Sequence, residues 1–443
     1  MNSMFYHLLQ IPVPKDIPLA LPLPYWLLVA ILVFSFLLHI LFVNLMIGGT
    51  LFTLWAQMLG RKNKHYNQVA KEIENTITVN KSLAVVMGVA PLLSINVLYT
   101  VYFYTSSILI GYMWISVIPL VIVAFLLGYL HKYTWEKMAN NQLLHISIIA
   151  GAALIFLFIP FIFLANINLL QFPEKWGEVQ GLFSAVSLNN VIPRYLHFIT
   201  ATIAVTGIFF YWFFGRKKYP FEERIQGVGR EEIKRKALSI GLAATAAQFV
   251  FGPLLFLTLP AKGIEWNLFL YIGLGVTAAI FAIAWMWRMV NSPVQKPVNR
   301  FVPVIVALTI TVIFMGTGRQ FYRSNALAPH QKLVDQKTEQ YLQLAEEARQ
   351  LHAEGKLEEA AQTASMGQQL FDRNCAACHQ QDSRLIGPPI KEIVPMYEGK
   401  KEELIAWIRE PGRKRESYPP MPGFPQLSEE KLDRIAEYML GLM

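Results

Sequence analysis

The stretch Cys375-Ala376-Ala377-Cys378-His379 decides how the last part of this chain folds. Cys-x-x-Cys-His is the pattern that attaches a c-type haem, with both thiols bonded to the porphyrin and the adjacent imidazole on the iron. These are the only two cysteines of the 443-residue sequence, so no thiol remains for a disulfide framework or a cysteine-rich zinc site. The pattern predicts one covalent haem c held by Cys375, Cys378 and His379. The alternative is a buried, redox-silent cysteine pair.

The residues around this motif follow the order of a small haem-binding domain. Residues 366–373 are predicted to form an amphipathic helix that leads into the motif, and a second helix with apolar residues at helical spacing closes the sequence. Between them lie Gly387-Pro388-Pro389 and the segment Tyr418-Pro419-Pro420-Met421-Pro422. Residues 366–443 therefore resemble a class I cytochrome c domain. The resemblance implies that Met421 is the second axial ligand and that Pro388 belongs to the haem-binding residues.

The sequence before residue 320 has the composition of a membrane protein. Hydrophobic residues make up 54% of the chain and charged residues 16%, whereas a soluble protein carries about 25% charged residues. Apolar runs long enough to cross a bilayer recur. The predicted spans are roughly 24–58, 81–104, 108–130, 143–169, 191–214, 237–260, 266–289 and 301–318. We therefore predict an all-α protein, with a polytopic transmembrane bundle of about eight helices and a small α-helical cytochrome c domain.

Basic residues in the loops predict the orientation of these spans. Lysine and arginine cluster after the first, third, fifth and seventh spans, and the alternate loops carry few cations. Positively charged loops remain on the cytoplasmic side. The N-terminus and the cytochrome c domain are thus predicted on the outer, periplasmic face of a bacterial inner membrane. The net charge of +9 belongs to these loops, so nucleic acid is not an expected partner, whereas the lipid bilayer is.

The long apolar runs end near Arg323, and polar helical sequence replaces them. This change divides the chain into a membrane domain (1–323), a helical linker (324–365) and the cytochrome c domain (366–443). The linker is interpreted as a helical hairpin that breaks near Glu354-Gly355. It is either a spacer for the haem domain or a docking surface.

Two histidines inside the spans are candidate ligands of a b-type haem. His39 lies within the first span and His197 near the outer end of the fifth, with Arg194 one helical turn further out. Ionisable residues inside a membrane are costly and usually functional. Imidazole is the common protein ligand of haem iron, and Arg194 would pair with a haem propionate. The alternative is that each histidine donates a hydrogen bond to a neighbouring helix.

The remaining histidines of the membrane domain have other interpretations. His145, near the inner end of the fourth span, is interpreted as structural. His65 and His131 fall in basic inner loops, where we expect them to be solvated.

Short motifs in the spans match a second family in the same order. They are His39-Ile40-Leu41-Phe42-Val43 with Gly48-Gly49, Asn190 to His197, Gly273-Leu274-Gly275 and Gly318-Arg319-Gln320. Residues 24–323 resemble a divergent subunit I of the cytochrome bd quinol oxidases. The resemblance implies that His39 ligates an active-site haem, that His197 ligates a low-spin haem b, and that Arg319 belongs to the haem-binding residues. One or more b haems are expected.

The departures from that family concern its oxygen and quinol chemistry. The positions that match its haem-ligating Glu, its haem-ligating Met and a second-helix Glu hold Gly316, Tyr271 and Asn96. The third span contains no acidic residue, and residues 261–265 replace the long quinol-binding loop. Oxygen reduction in a membrane needs a titratable proton relay, which carboxylates usually supply. These losses favour electron transfer over catalysis, so no catalytic residue is assigned.

The sequence thus predicts a membrane-bound respiratory cytochrome that transfers electrons between a periplasmic haem c and b-type haem. Its expected partners are a periplasmic cytochrome c or another redox protein, and further membrane subunits of a respiratory complex. Two alternatives remain: a terminal oxidase subunit fed by cytochrome c, and a cytochrome c carrier that the spans merely anchor.

Overall fold

The computed structural model describes residues 21–293, 300–353 and 356–442, and within these ranges it contains helices and no strand. This confirms the all-α prediction. The helices are α1 Tyr25–Gly60, α2 His65–Leu98, α3 Thr100–Ile110, α4 Tyr112–Tyr133, α5 Gln142–Leu170, α6 Gly181–Val186, α7 Val191–Gly215, α8 Phe221–Arg224, α9 Arg230–Leu257, α10 Trp266–Asn291, α11 Phe301–Ala353, α12 Lys356–Asn374, α13 Ile390–Ile393, α14 Lys401–Arg409 and α15 Glu429–Leu440.

Seven described helices are long and apolar enough to cross a membrane, or eight if one bent pair counts as a single span. The chain is therefore an integral membrane protein. The bent pair replaces the second predicted span: α2 and α3 meet at Tyr99 with an angle of 111° between Leu83–Leu98 and Thr100–Ile110. A second difference is that α2 begins at His65 and not near residue 81. Its first turns form because apolar residues at helical spacing, from Tyr66 to Ile77, pack against Phe210 and Phe214 of α7.

Helix α7, which carries Arg194 and His197, is held between α1 and α9 by close backbone approaches. A Cβ atom at Gly207 would lie 2.6 Å from the carbonyl oxygen of Ala237 on α9. A Cβ atom at Gly48 of α1 would lie 2.9 Å from the carbonyl oxygen of Thr202 on α7. Small residues permit this spacing between membrane helices. The result is a rigid frame for the α7 side chains.

Helix α11 continues without interruption beyond the predicted end of the last span. The described residues form two compact units that divide between Gln331 and Lys332. Helix α11 ends at Ala353 and α12 begins at Lys356, and the predicted break at 354–355 lies outside the described residues.

In the C-terminal unit, α12 crosses α15 at very short distance. A Cβ atom at Gly367 would lie 2.5 Å from the carbonyl oxygen of Arg434. The rings of Phe371 and Tyr438 pack beside this crossing with 5.5 Å between their centroids. The core is completed by α14, which buries Leu404, Ile405 and Ile408 along one face. This crossing fixes the end of α12, where the Cys-x-x-Cys-His motif starts.

Candidate haem sites

The two cysteines follow directly after α12. The backbone N–H of Cys375 donates to the carbonyl of Phe371 at 2.7 Å, and that of His379 donates to the carbonyl of Cys375 at 2.9 Å. The motif is thus a compact turn that continues from the helix. Cys375 is buried and Cys378 is half-buried. Burial, assisted by the neighbouring Cys378, raises the pKa of the Cys375 thiol to about 11.

The imidazole of His379 is oriented by the Gly-Pro-Pro segment. Its Nδ1 lies 2.8 Å from the carbonyl oxygen of Pro388, so the ring donates from Nδ1 and keeps the Nε2 lone pair for a metal. Pro388 therefore acts through its backbone. A Cβ atom at Gly387 would lie 2.4 Å from Cε1 of His379, which explains why glycine stands there.

The segment that carries Met421 has no regular structure but is anchored on both sides. Before it, Arg384 donates to the carbonyl of Ser417 at 2.9 Å and stacks on the ring of Tyr418. After it, the N–H of Phe424 donates to the carbonyl of Ile408 on α14 at 3.2 Å. Met421 itself is half-buried. These anchors hold the segment at both ends although it is not helical.

In the membrane unit, His39 of α1 faces α2. Its Nδ1 lies 2.9 Å from the carbonyl oxygen of Ala84, which again leaves Nε2 as the position with a free lone pair. A Cβ atom at Gly88 would lie 2.9 Å from Cε1 of His39, so glycine makes room for the ring. The hydrogen bond to a neighbouring helix is compatible with both interpretations of His39, since a ligating histidine also needs such a bond.

His197 of α7 differs from His39 because its ring has no such bond. Among the described residues, its buried Nδ1 atom has no hydrogen-bond partner. Gly252 of α9 faces the ring, where a Cβ atom would lie 3.8 Å from Cε1. The alternative that His197 is a hydrogen-bonded structural histidine therefore lacks its partner in the described part of the chain.

Arg194, one turn from His197, is held by neutral groups. Its guanidinium donates to Oδ1 of Asn190 at 2.7 and 2.9 Å and to Oε1 of Gln171 at 3.2 Å. The buried Nη1 atom has no partner among the described residues. Asn190 adopts a left-handed backbone (φ 81°) as it caps α7, which turns its amide towards the arginine.

Two further guanidiniums come from α11. Arg319 lies 4.7 Å from the ring centroid of Phe36. Phe36 is on α1, one turn before His39. Arg323 is buried, lies 5.3 Å from the ring centroid of Tyr99, and has a buried Nε atom without a described hydrogen-bond partner. Arg319 is within electrostatic range of both Arg194 and Arg323. The sequence predicted Arg323 only as the domain boundary, although it follows Arg319 by one helical turn.

These residues fit an anionic, iron-containing cofactor such as a b haem. Arg194, Arg319 and Arg323, here called the arginine trio, pair with no acidic side chain in the described part of the chain. Arg323 is buried and the other two are half-buried, and a charge withdrawn from water without a partner is costly, so the trio calls for a bound anion. Arg194 lies one turn from His197, and Arg319 lies over Phe36, one turn from His39, which matches an iron ligand beside a propionate site.

Tyr271 and Asn96, two positions at which the sequence departs from the pattern of the bd resemblance, contact their own neighbours in the bundle. Tyr271 packs its ring between Phe314 and Phe321, with centroid distances of 6.4 and 6.1 Å. Asn96 donates its amide to the carbonyl of Leu92 on its own helix. The connection between α9 and α10, residues 258–265, contains one turn of 3-10 helix.

The expectation that His131 is solvated is wrong, because the ring is completely buried in the last turn of α4. It stacks on His145 of α5, with 3.9 Å between ring centroids and 13° between planes. Gln57 of α1 and Glu74 of α2 are buried beside them. We call these four residues the inner cluster. His65, in contrast, is exposed as expected.

A protein-family model described as Cytochrome c matches residues 364–443. Cytochrome c-551 of Azotobacter vinelandii is 35% identical over 78 residues, which cover 17% of this chain and 94% of that protein. Cytochrome c-551 of Stutzerimonas stutzeri is 34% identical over 83 residues, covering 18% and 79%. Among solved structures, the bd oxidase from Geobacillus thermodenitrificans matches with a TM-score of 0.52 at 12% identity, over 76% of this chain and 98% of that chain. The chain therefore joins a membrane domain with the fold of a bd oxidase to a C-terminal domain that belongs to the cytochrome c family.

Proposed function

We propose that this chain is a membrane-bound respiratory cytochrome that passes electrons between a periplasmic haem c and b-type haem in its membrane domain, as one subunit of a larger complex. The observation that carries the proposal is the arginine trio beside His39 and His197. Three guanidiniums that pair with no acidic side chain among the described residues, together with imidazoles that offer lone pairs, favour haem as the occupant.

The C-terminal domain would hold haem c through Cys375, Cys378 and His379, with Met421 on the opposite side of the iron. His197 would hold a low-spin b haem, with Arg194 at a propionate. His39 would bind a second b haem, with Arg319 in the corresponding role. Bound haem would supply one-electron transfer at its iron.

The protein side chains set the properties of such a site. The carbonyl of Pro388 accepts from Nδ1 of His379, and the carbonyl of Ala84 accepts from Nδ1 of His39. Each hydrogen bond orients the imidazole and raises its basicity as an iron ligand. The positive charges of the arginine trio favour the less positive, reduced form of any redox centre beside them. A thioether ligand such as Met421 also favours reduced iron.

Quinol oxidation and oxygen reduction are not part of the proposal. Residues 81–130 and 301–318 contain no carboxylate to take up or release protons within the membrane. The connection between α9 and α10 is also too short to resemble a quinol-binding loop.

The proposal is tested with the purified full-length chain in lipid nanodiscs. We expect a pyridine haemochrome spectrum that contains both c and b haem, rapid electron exchange with a small soluble cytochrome c, and negligible quinol:oxygen activity. Haem c alone would support the anchored carrier. Oxygen uptake driven by reduced cytochrome c, with a CO-reactive high-spin haem, would support the oxidase.

Replacing Arg194 tests the electrostatic part of the proposal. Arg194→Gln removes a positive charge near His197, so the oxidised b haem becomes easier to form and its midpoint potential falls. Arg194→Lys keeps the charge and is expected to preserve most of the potential. Redox potentiometry of both variants makes the comparison; equal potentials in Arg194→Gln and the unaltered protein would place the haem elsewhere.

A further inference from the structure

The inner cluster contains three ionisable side chains that the proposed electron transfer does not use. Glu74 is 1% exposed, His131 0% and His145 3%, and Gln57 between them is 4% exposed. The four side chains come from α2, α4, α5 and α1 in that order, so four helices meet around them. Burial of this kind is costly in a membrane protein and is usually functional.

The hydrogen bonds define where protons lie in the cluster. Nε2 of His145 faces the backbone carbonyl of His131 at 2.7 Å, so it carries a proton. With the Gln57 amide as oriented, its Nε2 donates to Nδ1 of His145 at 2.7 Å, and its Oε1 accepts from Nε2 of His131 at 3.1 Å. His145 is then neutral. Nδ1 of His131, which lies 3.9 Å from Oε2 of Glu74, becomes the atom whose protonation sets the charge.

A half-turn of the Gln57 amide produces a second arrangement. Its carbonyl would then accept from Nδ1 of His145, whose two nitrogens would both donate, and its amino group would donate to Nε2 of His131. The ring charge would thereby move from His131 to His145. Two imidazolium rings stacked at 3.9 Å repel each other strongly, so the pair holds one extra proton and not two.

The cluster lies directly beneath the surface at this end of the bundle. Lys71, one turn before Glu74 on α2, forms an ion pair with Glu136, which is 79% exposed. Glu136 follows Trp135, whose ring centroid lies 5.2 Å from that of His131 and 5.0 Å from that of His145. Water therefore reaches the residues adjoining the cluster.

Two other charged groups on these helices, among the residues whose side chains are described, have partners of their own. On α2, Glu72 accepts from Tyr219 and Arg224. On α4, Lys132 lies over the ring of Tyr133. The cluster is also remote from the candidate haem ligands, because Gln57 follows His39 by eighteen residues of α1, about 27 Å of helix.

We propose that Gln57, Glu74, His131 and His145 form a proton-binding site that exchanges one proton with the aqueous phase at the Lys71–Glu136 end of the bundle. In the step, a hydronium ion gives its proton to Nδ1 of His131, water is released, and Glu74 balances the resulting imidazolium. The amide of Gln57 then determines which of the two rings holds the charge. This site does not depend on the proposed electron transfer or on haem content.

The test is a pH titration of the full-length protein, labelled with ¹⁵N-histidine in nanodiscs and followed by NMR of the ring nitrogens. We expect one protonation shared by the His131 and His145 resonances, which His131→Gln and His145→Gln assign. In Glu74→Gln this transition should move to lower pH by about one unit or more, because the anion that stabilises the imidazolium is gone. His65→Gln, which removes an exposed histidine, should leave it unchanged.

If His131→Gln or His145→Gln does not fold, Gln57→Met assigns the same rings, because loss of the amide alters a nitrogen resonance in each of them. Ring nitrogens of His131 and His145 that keep one protonation state throughout the pH range of the folded protein would overturn the proposal. So would a transition with the same midpoint in Glu74→Gln. Either result would reduce the inner cluster to a fixed hydrogen-bond network that joins four helices.

Discussion

A His197→Ala variant is expected to lose its low-spin b haem while it retains the whole haem c absorbance. The imidazole has a buried Nδ1 without a described partner and stands one turn from Arg194. Alanine offers the iron no ligand at this place, and an iron without its axial ligand leaves a b-haem site readily because no covalent bond retains the porphyrin. The measurement is the ratio of b to c haem in the pyridine haemochrome spectrum.

The control for this variant is His65→Ala, which removes an exposed histidine from the same membrane unit. It should leave the b to c ratio unchanged. A normal b-haem content in His197→Ala would show that another residue ligates the iron, and His39 would then be the next position to replace. A loss of both haems would indicate a folding defect.

A Met421→Ala variant is expected to keep its covalent haem but to change its iron ligation. The thioether bonds to Cys375 and Cys378 do not involve Met421, so haem c content should be normal. The charge-transfer band of a methionine–iron bond should disappear, and the midpoint potential should fall because a harder ligand or water favours the oxidised iron. Absorbance spectroscopy of the oxidised protein measures the charge-transfer band, and redox potentiometry measures the midpoint potential.

Met366→Ala serves as the matched control, since Met366 is an exposed methionine on α12 of the same unit. Its band and potential should equal those of the unaltered protein. If Met421→Ala behaves in the same way, the sixth ligand is another residue, even though the Met421 segment is anchored on α14.

Much of this structure could be predicted because its signals are local in the sequence. Long apolar runs indicate membrane helices. Both ends of α5, α7 and α10 lie within a few residues of the predicted spans, whereas α9 ends close to its predicted span but begins earlier, at Arg230. The Cys-x-x-Cys-His motif and its surroundings identified the cytochrome c domain, which the relatives confirm. Such signals depend on composition and short spacing, which the sequence displays directly.

The features that were missed depend on contacts between distant residues. The bend at Tyr99 lies inside one apolar run, and nothing in its hydropathy distinguishes a bent pair from a straight helix. The inner cluster draws single residues from four helices, of which His131 appeared to belong to a loop. Arg323 appeared only as the boundary at which the long apolar runs end. Only the packing of α11 on Tyr99 reveals it as a buried charge.

The arginine trio also has a consequence for how the cell makes and keeps this protein. Arg323 is buried and Arg194 and Arg319 are half-buried, and these like charges, which have no acidic partner among the described residues, would destabilise the membrane domain by roughly several kcal/mol in the absence of a bound anion. An anionic cofactor that binds the folded state but not the unfolded state stabilises the protein, and the stabilisation grows with the cofactor concentration. The amount of mature protein should therefore follow haem synthesis, and a cell short of haem should clear the chain by proteolysis before it reaches its partners.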